Sequence, residues 1–536
     1  MTETAALNPV IPAHLIELKA TEAPEQEVLI FEQGEMGEKR LTYRDIYENS
    51  NKIARLLLDK GVGSGDTVVV YMKNHPEFVY SLIATNTIGA IMVPVDPRTR
   101  GDRLKFLITN SASKAIIATD ECIEQLNEVI DDLPEVRFTT IAYNQSHEIS
   151  GSTPFHNLCD TLAQDKWQKA HQQCFDIKHP LEIIYTSGTT GDPKGVVIKV
   201  ERTAAFKLLA TAILKYTDKD IVYSGLSLTH GNAQAVTLFP ALILGIKGVF
   251  STSFTRTRIW DICRKYGCTT FSLLGGMMPG IANLPEKADD ADNPVRMVVN
   301  AGTPAALWEQ FEERFDTSIL EWYGAVEGGL AFKPVGVGPI GSFGKPVPGV
   351  MEFKVVDEDD NGVQPGVVGE LISRMVQGET KVDYLGKPGA SEEKTRGGWL
   401  RSGDMVHQDE EGWFFFDYRK GGGLRRSGDF IQPDYLETVI GQHPDISEVC
   451  VYGIPAASGA PGESDIVAAI SPLTGDIDPS AIYSFCKEKL EKSNIPSYIQ
   501  IVDAIPKTVS EKHQPRLLKE QFERKEGKIH EYTDFA

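Results

Sequence analysis

The stretch Tyr185-Thr186-Ser187-Gly188-Thr189-Thr190-Gly191-Asp192-Pro193-Lys194-Gly195-Val196 decides how this chain is read. It follows Leu181-Glu182-Ile183-Ile184 and precedes Val197-Ile198, so its apolar, β-branched flanks predict a loop between two strands. Three glycines let the backbone approach a ligand closely. The hydroxyls of Ser187, Thr189 and Thr190 and the ammonium of Lys194 supply donors and a positive charge. That combination suits the phosphates of a nucleotide. The loop is not of the G-x-x-x-x-G-K-[ST] kind, because Asp192-Pro193 separate Gly191 from Lys194.

At 536 residues the chain exceeds one ordinary core, and two or more domains are expected. Apolar content of 41% and charged content of 24% fit a soluble globular protein. A net charge of −21 argues against nucleic acid or an anionic membrane as partner. An anionic substrate must then be met by local positive groups. The start, Met1-Thr2-Glu3-Thr4-Ala5-Ala6, is no signal peptide, and no stretch is long enough to span a bilayer. The greasiest run, 235–250, is expected to be a buried helix. Seven scattered cysteines, Cys263 and Cys268 the closest pair, predict buried free thiols in a cytoplasmic protein rather than a metal site.

Along the chain, helical spacing over 41–60 with Thr42 or Asp45 as cap, a strand at Val68–Tyr71, a helix from Phe78 to Ala90, and strands at Ile91–Val95 and Ile116–Ala118 predict a parallel sheet with helices on its faces. Strands at Val449–Gly453 and Ile466–Ile470, with a helix over 481–490, predict a small α+β module at the end.

Taken whole, the twelve-residue string resembles the phosphate-binding loop of the adenylate-forming superfamily, which holds acyl-CoA synthetases, peptide-synthetase adenylation domains and luciferases. Further segments resemble it in the family's order. Leu226-Ser227-Leu228-Thr229-His230-Gly231 is similar to a motif whose aromatic or histidine lines the acid pocket. Val298-Val299-Asn300-Ala301-Gly302-Thr303-Pro304 and Glu321-Trp322-Tyr323-Gly324-Ala325-Val326-Glu327 resemble its adenine-binding segments. Trp399-Leu400-Arg401-Ser402-Gly403-Asp404 and Arg419 resemble its ribose-binding groups. Arg425-Arg426-Ser427-Gly428-Asp429 resembles the loop where a pantetheine arm passes, and Pro506-Lys507-Thr508-Val509-Ser510-Glu511-Lys512 resembles P-K-T-x-x-G-K.

The resemblance implies an α/β fold with a large N-terminal domain over residues 1–418 and a small mobile α+β domain over 419–536. It implies ATP, Mg²⁺ and coenzyme A as cofactors and a carboxylic acid as substrate, with a homodimer left open. Lys512, Glu327, Thr186 and His230 would form the catalytic set, with Glu327 and Thr186 on Mg²⁺. Thr186, Ser187, Gly188, Thr189, Thr190, Gly191, Lys194, Gly302, Thr303, Tyr323, Glu327, Asp404 and Arg419 would hold the nucleotide, and Gly428 the pantetheine. Tyr323 offers a face for a purine, Glu327 a hard oxygen for Mg²⁺, and Asp404 an acceptor for ribose hydroxyls. The implied reaction is formation of an acyl-adenylate and its transfer to coenzyme A, in the style of fatty-acyl and crotonobetaine/carnitine-CoA ligases. Transfer to a carrier protein and low-turnover binding of nucleotide or acyl group are the alternatives.

The chain departs from the pattern at Val326, where threonine is usual, at Glu511, where glycine is usual, and at Gly421-Gly422-Gly423, which predicts a loose hinge. Gly275-Gly276 and Gly328-Gly329 are open to two readings, room for a bulky acyl group or turns. Lys333 is read as a partner for a second substrate charge or as a surface residue.

Overall fold

The computed structural model describes residues 7–34, 37–143, 155–186, 192–274, 277–282, 284–420, 423–426, 428–473, 475, 477–506 and 513–532, and of Arg419 the backbone alone. Ser187, Gly188, Thr189, Thr190, Gly191, Gly275, Gly276, Gly421, Gly422, Glu511 and Lys512 lie outside the described residues.

Two large sheets carry the N-terminal part. One runs, edge to edge, Phe155–Asn157, Phe138–Ala142, Ala115–Thr119, Thr67–Tyr71, Ile91–Val95, Pro180–Thr186 and Lys194–Lys199. Its pairings are parallel except the last, which is antiparallel. The expected loop between two strands is therefore a hairpin, with Thr186 opposite Lys194. Val68, Val69, Val70 and Tyr71 are all buried, as a strand covered by helices on both faces requires. Helix Tyr43–Asp59 starts where its sequence says it should. The Thr42 hydroxyl accepts from the Asp45 amide at 3.1 Å, and the Asp45 carboxylate accepts from the Thr42 amide at 2.8 Å.

The second sheet has thirteen strands. Glu27–Glu32, Lys247–Ser251, Ile221–Ser224, Thr270–Ser272, Met297–Asn300 and Ser318–Ala325 form its parallel part. Beyond Ser318–Ala325 the pairings turn antiparallel, through Gly328–Lys333, Ser342–Pro346, Phe414–Arg419, Leu400–Gln408, Gly369–Met375 and Met351–Val356. The expected buried helix over 235–250 is two helical pieces, Ala233–Leu238 and Phe239–Leu244, followed by a strand. Gly245, at φ 73°, stops the helix in the left-handed conformation, and Lys247–Ser251 then enters the parallel sheet.

The small C-terminal part has its own core. A sheet of Ile446–Pro455, Ser464–Pro472, Tyr498–Ile501 and Lys528–Glu531 packs on helices Pro433–Ile440 and Pro479–Lys489 through Leu436, Ile440, Ile466, Ile482 and Ile499. The hairpin Leu424–Arg426 and Asp429–Ile431 leads into it. Gly423 is fixed by packing rather than by looseness: a Cβ there would stand 1.9 Å from the Phe430 ring.

Two strands carry buried carboxyls, Glu182 and Glu321, and burial pushes each up to about 7 from the usual 4.5. For Glu321 the unfolded chain ionises first as pH rises. Stability from this residue is full below about 4.5 and is lost as pH passes 7. Glu321→Gln cannot ionise and should remove on the order of 1–3 kcal/mol of the stability lost between about pH 5 and 8. Denaturation midpoints at both pH values check it, and equal losses in the two proteins would reject it. A second prediction concerns Gly344, at φ 106°, where a Cβ would lie 2.0 Å from the Phe332 carbonyl carbon on the neighbouring strand. Gly344→Ala should lower stability by about 3 kcal/mol or more, read as a fall in the thermal midpoint.

Candidate active site

A cavity of about 1710 Å³ lies among the ends of the two large sheets and the small module. Thr186 ends its strand at this cavity, and its hydroxyl donates to Glu327 at 3.2 Å. The Tyr384 hydroxyl donates to the same carboxylate oxygen at 3.3 Å. Glu327 follows directly on the end of Ser318–Ala325 and so meets a strand of the other sheet. Lys194 opens the return strand of the hairpin, its ammonium 5.3 Å from the centre of the Tyr384 ring. The segment holding Tyr384 is pinned there by the backbone, since the Leu385 amide donates to the Gly195 carbonyl at 2.8 Å. A hydroxyl and a carboxylate side by side are hard oxygen donors, and this pair fits Mg²⁺ held on nucleotide phosphates.

Gly302, Thr303, Tyr323 and Asp404 also line the cavity. The Gly302 amide donates to Glu321 at 2.5 Å, and the Thr303 hydroxyl donates to the same carboxyl at 2.5 Å. Gly302 takes φ 92°, which a side chain would disfavour. The Tyr323 hydroxyl donates to Asp404, and its ring lies 4.7 Å from that of Phe343. Asp404 stands opposite Arg419 in the ladder of Leu400–Gln408 and Phe414–Arg419. Tyr323 and Asp404 thus sit where one nucleoside could touch both.

His230 is exposed, but to the cavity, with protein around it. Burial lowers its pKa, and Asp429, Arg425, Asp96 and Arg98 are the charges that face it. The small module reaches this point. Arg98 donates to Asp429 at 3.1 Å, and Arg103 lies 3.8 Å from Glu491. Gly428 takes φ 84°, donates its amide to Glu463 at 3.2 Å, and would place a Cβ 3.2 Å from Leu274 of the large part.

The structure bears on three sequence expectations. Lys333 is 3% exposed and does not line the cavity; its ammonium sits 4.3 Å from the centre of the Trp308 ring, so it is neither a surface residue nor a substrate partner. Gly328 and Gly329 take φ 140° and 76°, so the turn requires them, although both line the cavity. Cys263 and Cys268 are buried free thiols; among the described residues the one group spaced for a metal is Glu437, Cys450 and His513.

Sequence reasoning missed Arg202, Asn232, Gln234 and Glu182, all of which line the cavity. Glu182 breaks the apolar run Leu181-Glu182-Ile183-Ile184, and Gln234 interrupts an apolar helix; those were the available signals. The backbone carbonyl of Val326 accepts from Arg202 at 2.5 Å, a bond that does not depend on the side chain at this position.

Comparison with known proteins agrees with this geometry. Residues 16–378 match the AMP-binding enzyme family and residues 435–512 match the AMP-binding enzyme C-terminal domain. The chain is 25% identical to long-chain fatty acid transport protein 2 of Rattus norvegicus, over 95% of this chain and 85% of that one. It is 26% identical to crotonobetaine/carnitine-CoA ligase of Salmonella paratyphi B, over 91% and 95%. Its fold is that of o-succinylbenzoate CoA synthetase from Bacillus subtilis, with a TM-score of 0.77, 21% identity and coverage of 94% and 98%. With more than half its length matched by one family model and the family's C-terminal domain following in order, the chain belongs to the AMP-binding enzymes.

Proposed function

We propose that this protein activates a carboxylic acid with ATP and passes the acyl group to coenzyme A. The observation that carries this reading is the convergence, on one cavity, of Thr186 and Tyr384 on Glu327 and of Tyr323 on Asp404. Family membership and the names of the relatives support it.

In the first step a substrate carboxylate oxygen attacks the α-phosphorus of ATP. The bond to the β-phosphate oxygen breaks, and pyrophosphate leaves. Residues 186–194 cradle the leaving phosphates. Thr186 and Glu327 hold Mg²⁺, which supplies charge neutralisation when bound. Gly302, Thr303 and Tyr323 seat the adenine, and Asp404 with Arg419 holds the ribose. Lys512 meets the oxygens on which charge develops. Preorganised donors of this kind contribute on the order of 10²–10³ in rate each.

In the second step the sulfur of coenzyme A attacks the acyl carbon. The carbon–oxygen bond to the phosphate breaks, and AMP leaves. Gly428 lies along the thiol's approach and His230 lines the acid's seat. The working units are residues 1–418 and 419–536, meeting beside the strand Phe414–Arg419. A cytoplasmic location is supported by seven free cysteines. No described helix is long and apolar enough to cross a membrane.

Acid-dependent release of AMP and pyrophosphate, requiring coenzyme A and yielding a thioester by mass, tests the reading across a panel of acids. Pyrophosphate exchange without thioester would point to a carrier-protein acceptor instead. Lys512→Ala should lose adenylation by 10²-fold or more, on the order expected for one electrostatic group, while keeping thioester formation from supplied acyl-adenylate. Equal loss of both steps would remove Lys512 from this role.

A further inference from the structure

Behind Glu327 the cavity is lined by an unusual set of polar groups. Asn232 is 4% exposed, and neither its side-chain nitrogen nor its oxygen has a hydrogen-bond partner among the described residues. Gln234 is 1% exposed; its amide nitrogen donates to Glu182 at 3.1 Å and to the Leu228 carbonyl at 3.0 Å, while its oxygen has no partner among the described residues. Arg202 is half-buried and spends one donor, on the Val326 carbonyl. All three line the cavity together with Glu182.

Glu182 lies away from Thr186, and the Arg202 guanidinium faces both Glu327 and Glu182. Glu182 precedes Thr186 by four residues on one extended strand, a distance of about 13 Å. Apolar residues share this lining, Ala205, Phe206, Leu209 and Ala235 among them. Enclosed amide groups without partners are costly, and a hydrocarbon chain laid against them, beside a guanidinium with donors to spare, leaves them so. Asn232 holds nothing together through its side chain, so packing does not explain it.

We infer that the acyl end of this cavity, through Arg202, Asn232 and Gln234, selects carboxylic acids whose chain carries a hydrogen-bonding oxygen group, a hydroxyl, keto or second carboxyl, over plain hydrocarbon acids. The inference rests on the proposed acid activation for its kinetic form. The guanidinium and the amide nitrogen of Asn232 donate to the ligand oxygen. The amide oxygens of Asn232 and Gln234 accept from a ligand hydroxyl. Burial keeps Glu182 near the midpoint of its titration at neutral pH, at about 7, so it too can donate or accept.

The test uses the full chain and matched probes: decanoate, decanedioate, and decanoates bearing one hydroxyl or oxo group at successive carbons. The value of kcat/KM for AMP release should favour the best oxygenated acid over decanoate by on the order of 10²-fold, the scale of hydrogen bonds to charged and buried groups. Arg202→Met and Asn232→Leu should each shrink that ratio about tenfold or more, and Arg202→Lys should recover part of it. Asn232→Leu breaks no hydrogen bond seen among the described residues, so a lost preference there is not a folding defect. Decanoate turning over as well as every oxygenated acid, or variants that keep the wild-type ratio, would overturn the inference. If no acid supports AMP release, the proposed reaction fails on its own. Calorimetric titration of the same acids then decides the pocket: tighter binding of an oxygenated acid sustains the inference, and equal or absent binding refutes it.

Discussion

The carboxylate of Glu327 is a point at which the two large sheets are tied together at the cavity. Thr186 reaches it from the end of a strand in one sheet, and Glu327 itself follows the last parallel strand of the other. Tyr384 reaches it from a third segment, which is bonded along the hairpin through Gly195 and Val196. A carboxylate in such a place needs donors, and both of these are neutral hydroxyls. The Arg202 guanidinium faces it as well, so a cation held there would share the carboxylate with a positive neighbour. The parallel strands open their carboxyl ends toward the same space, as ligand sites in open α/β sheets do. Remove the tie, and the strand ends that frame the cavity lose their common reference.

The electrostatics follow from that frame. A chain of net charge −21 cannot attract a nucleotide with its overall field. The positive groups are local instead: Lys194 beside Tyr384, Arg202 under Val326, and Arg98 and Arg425 near His230. The buried acids Glu182 and Glu321 lose much of their charge to desolvation, which keeps the interior from repelling phosphate. Glu321 then acts less as a charge than as an acceptor, shaping the turn at Gly302 and Thr303 by taking their donors.

What was legible in the sequence was local. Thr42 and Asp45 cap a helix from three residues apart, and Ile184 and Val196 flank a hairpin, because neighbours in sequence suffice for both. Family membership was legible through a string of spaced motifs. The antiparallel continuation of the large sheet was not, because its edge pairs Ser342 with Phe415, far apart in the chain. Arg98 and Asp429 are separated by 331 residues, and no periodicity links them. Lys333 read as a surface charge until its strand partner, Glu321, placed it inside, over Trp308. Arg202 was hidden for a related reason: a lone arginine at a helix start reads as solvated, and only the packed fold encloses it.

The contact between the two parts carries a last consequence. From the small module, Arg425, Arg426, residues 428–431 and residues 491–494 line the cavity, while Ile505, Pro506 and His513 do not. His513 instead lies 3.8 Å from Glu437, within the small module. The same contact sets Gly428 against Leu274 of the large part. If the small module turns against the large one, as the proposed two-step reaction would require, the Arg98–Asp429 pair must part. Both partners of that pair are partly exposed, which keeps such a bond weak enough to break and re-form. A hydrophobic seal at the same place would have held one arrangement and blocked the other.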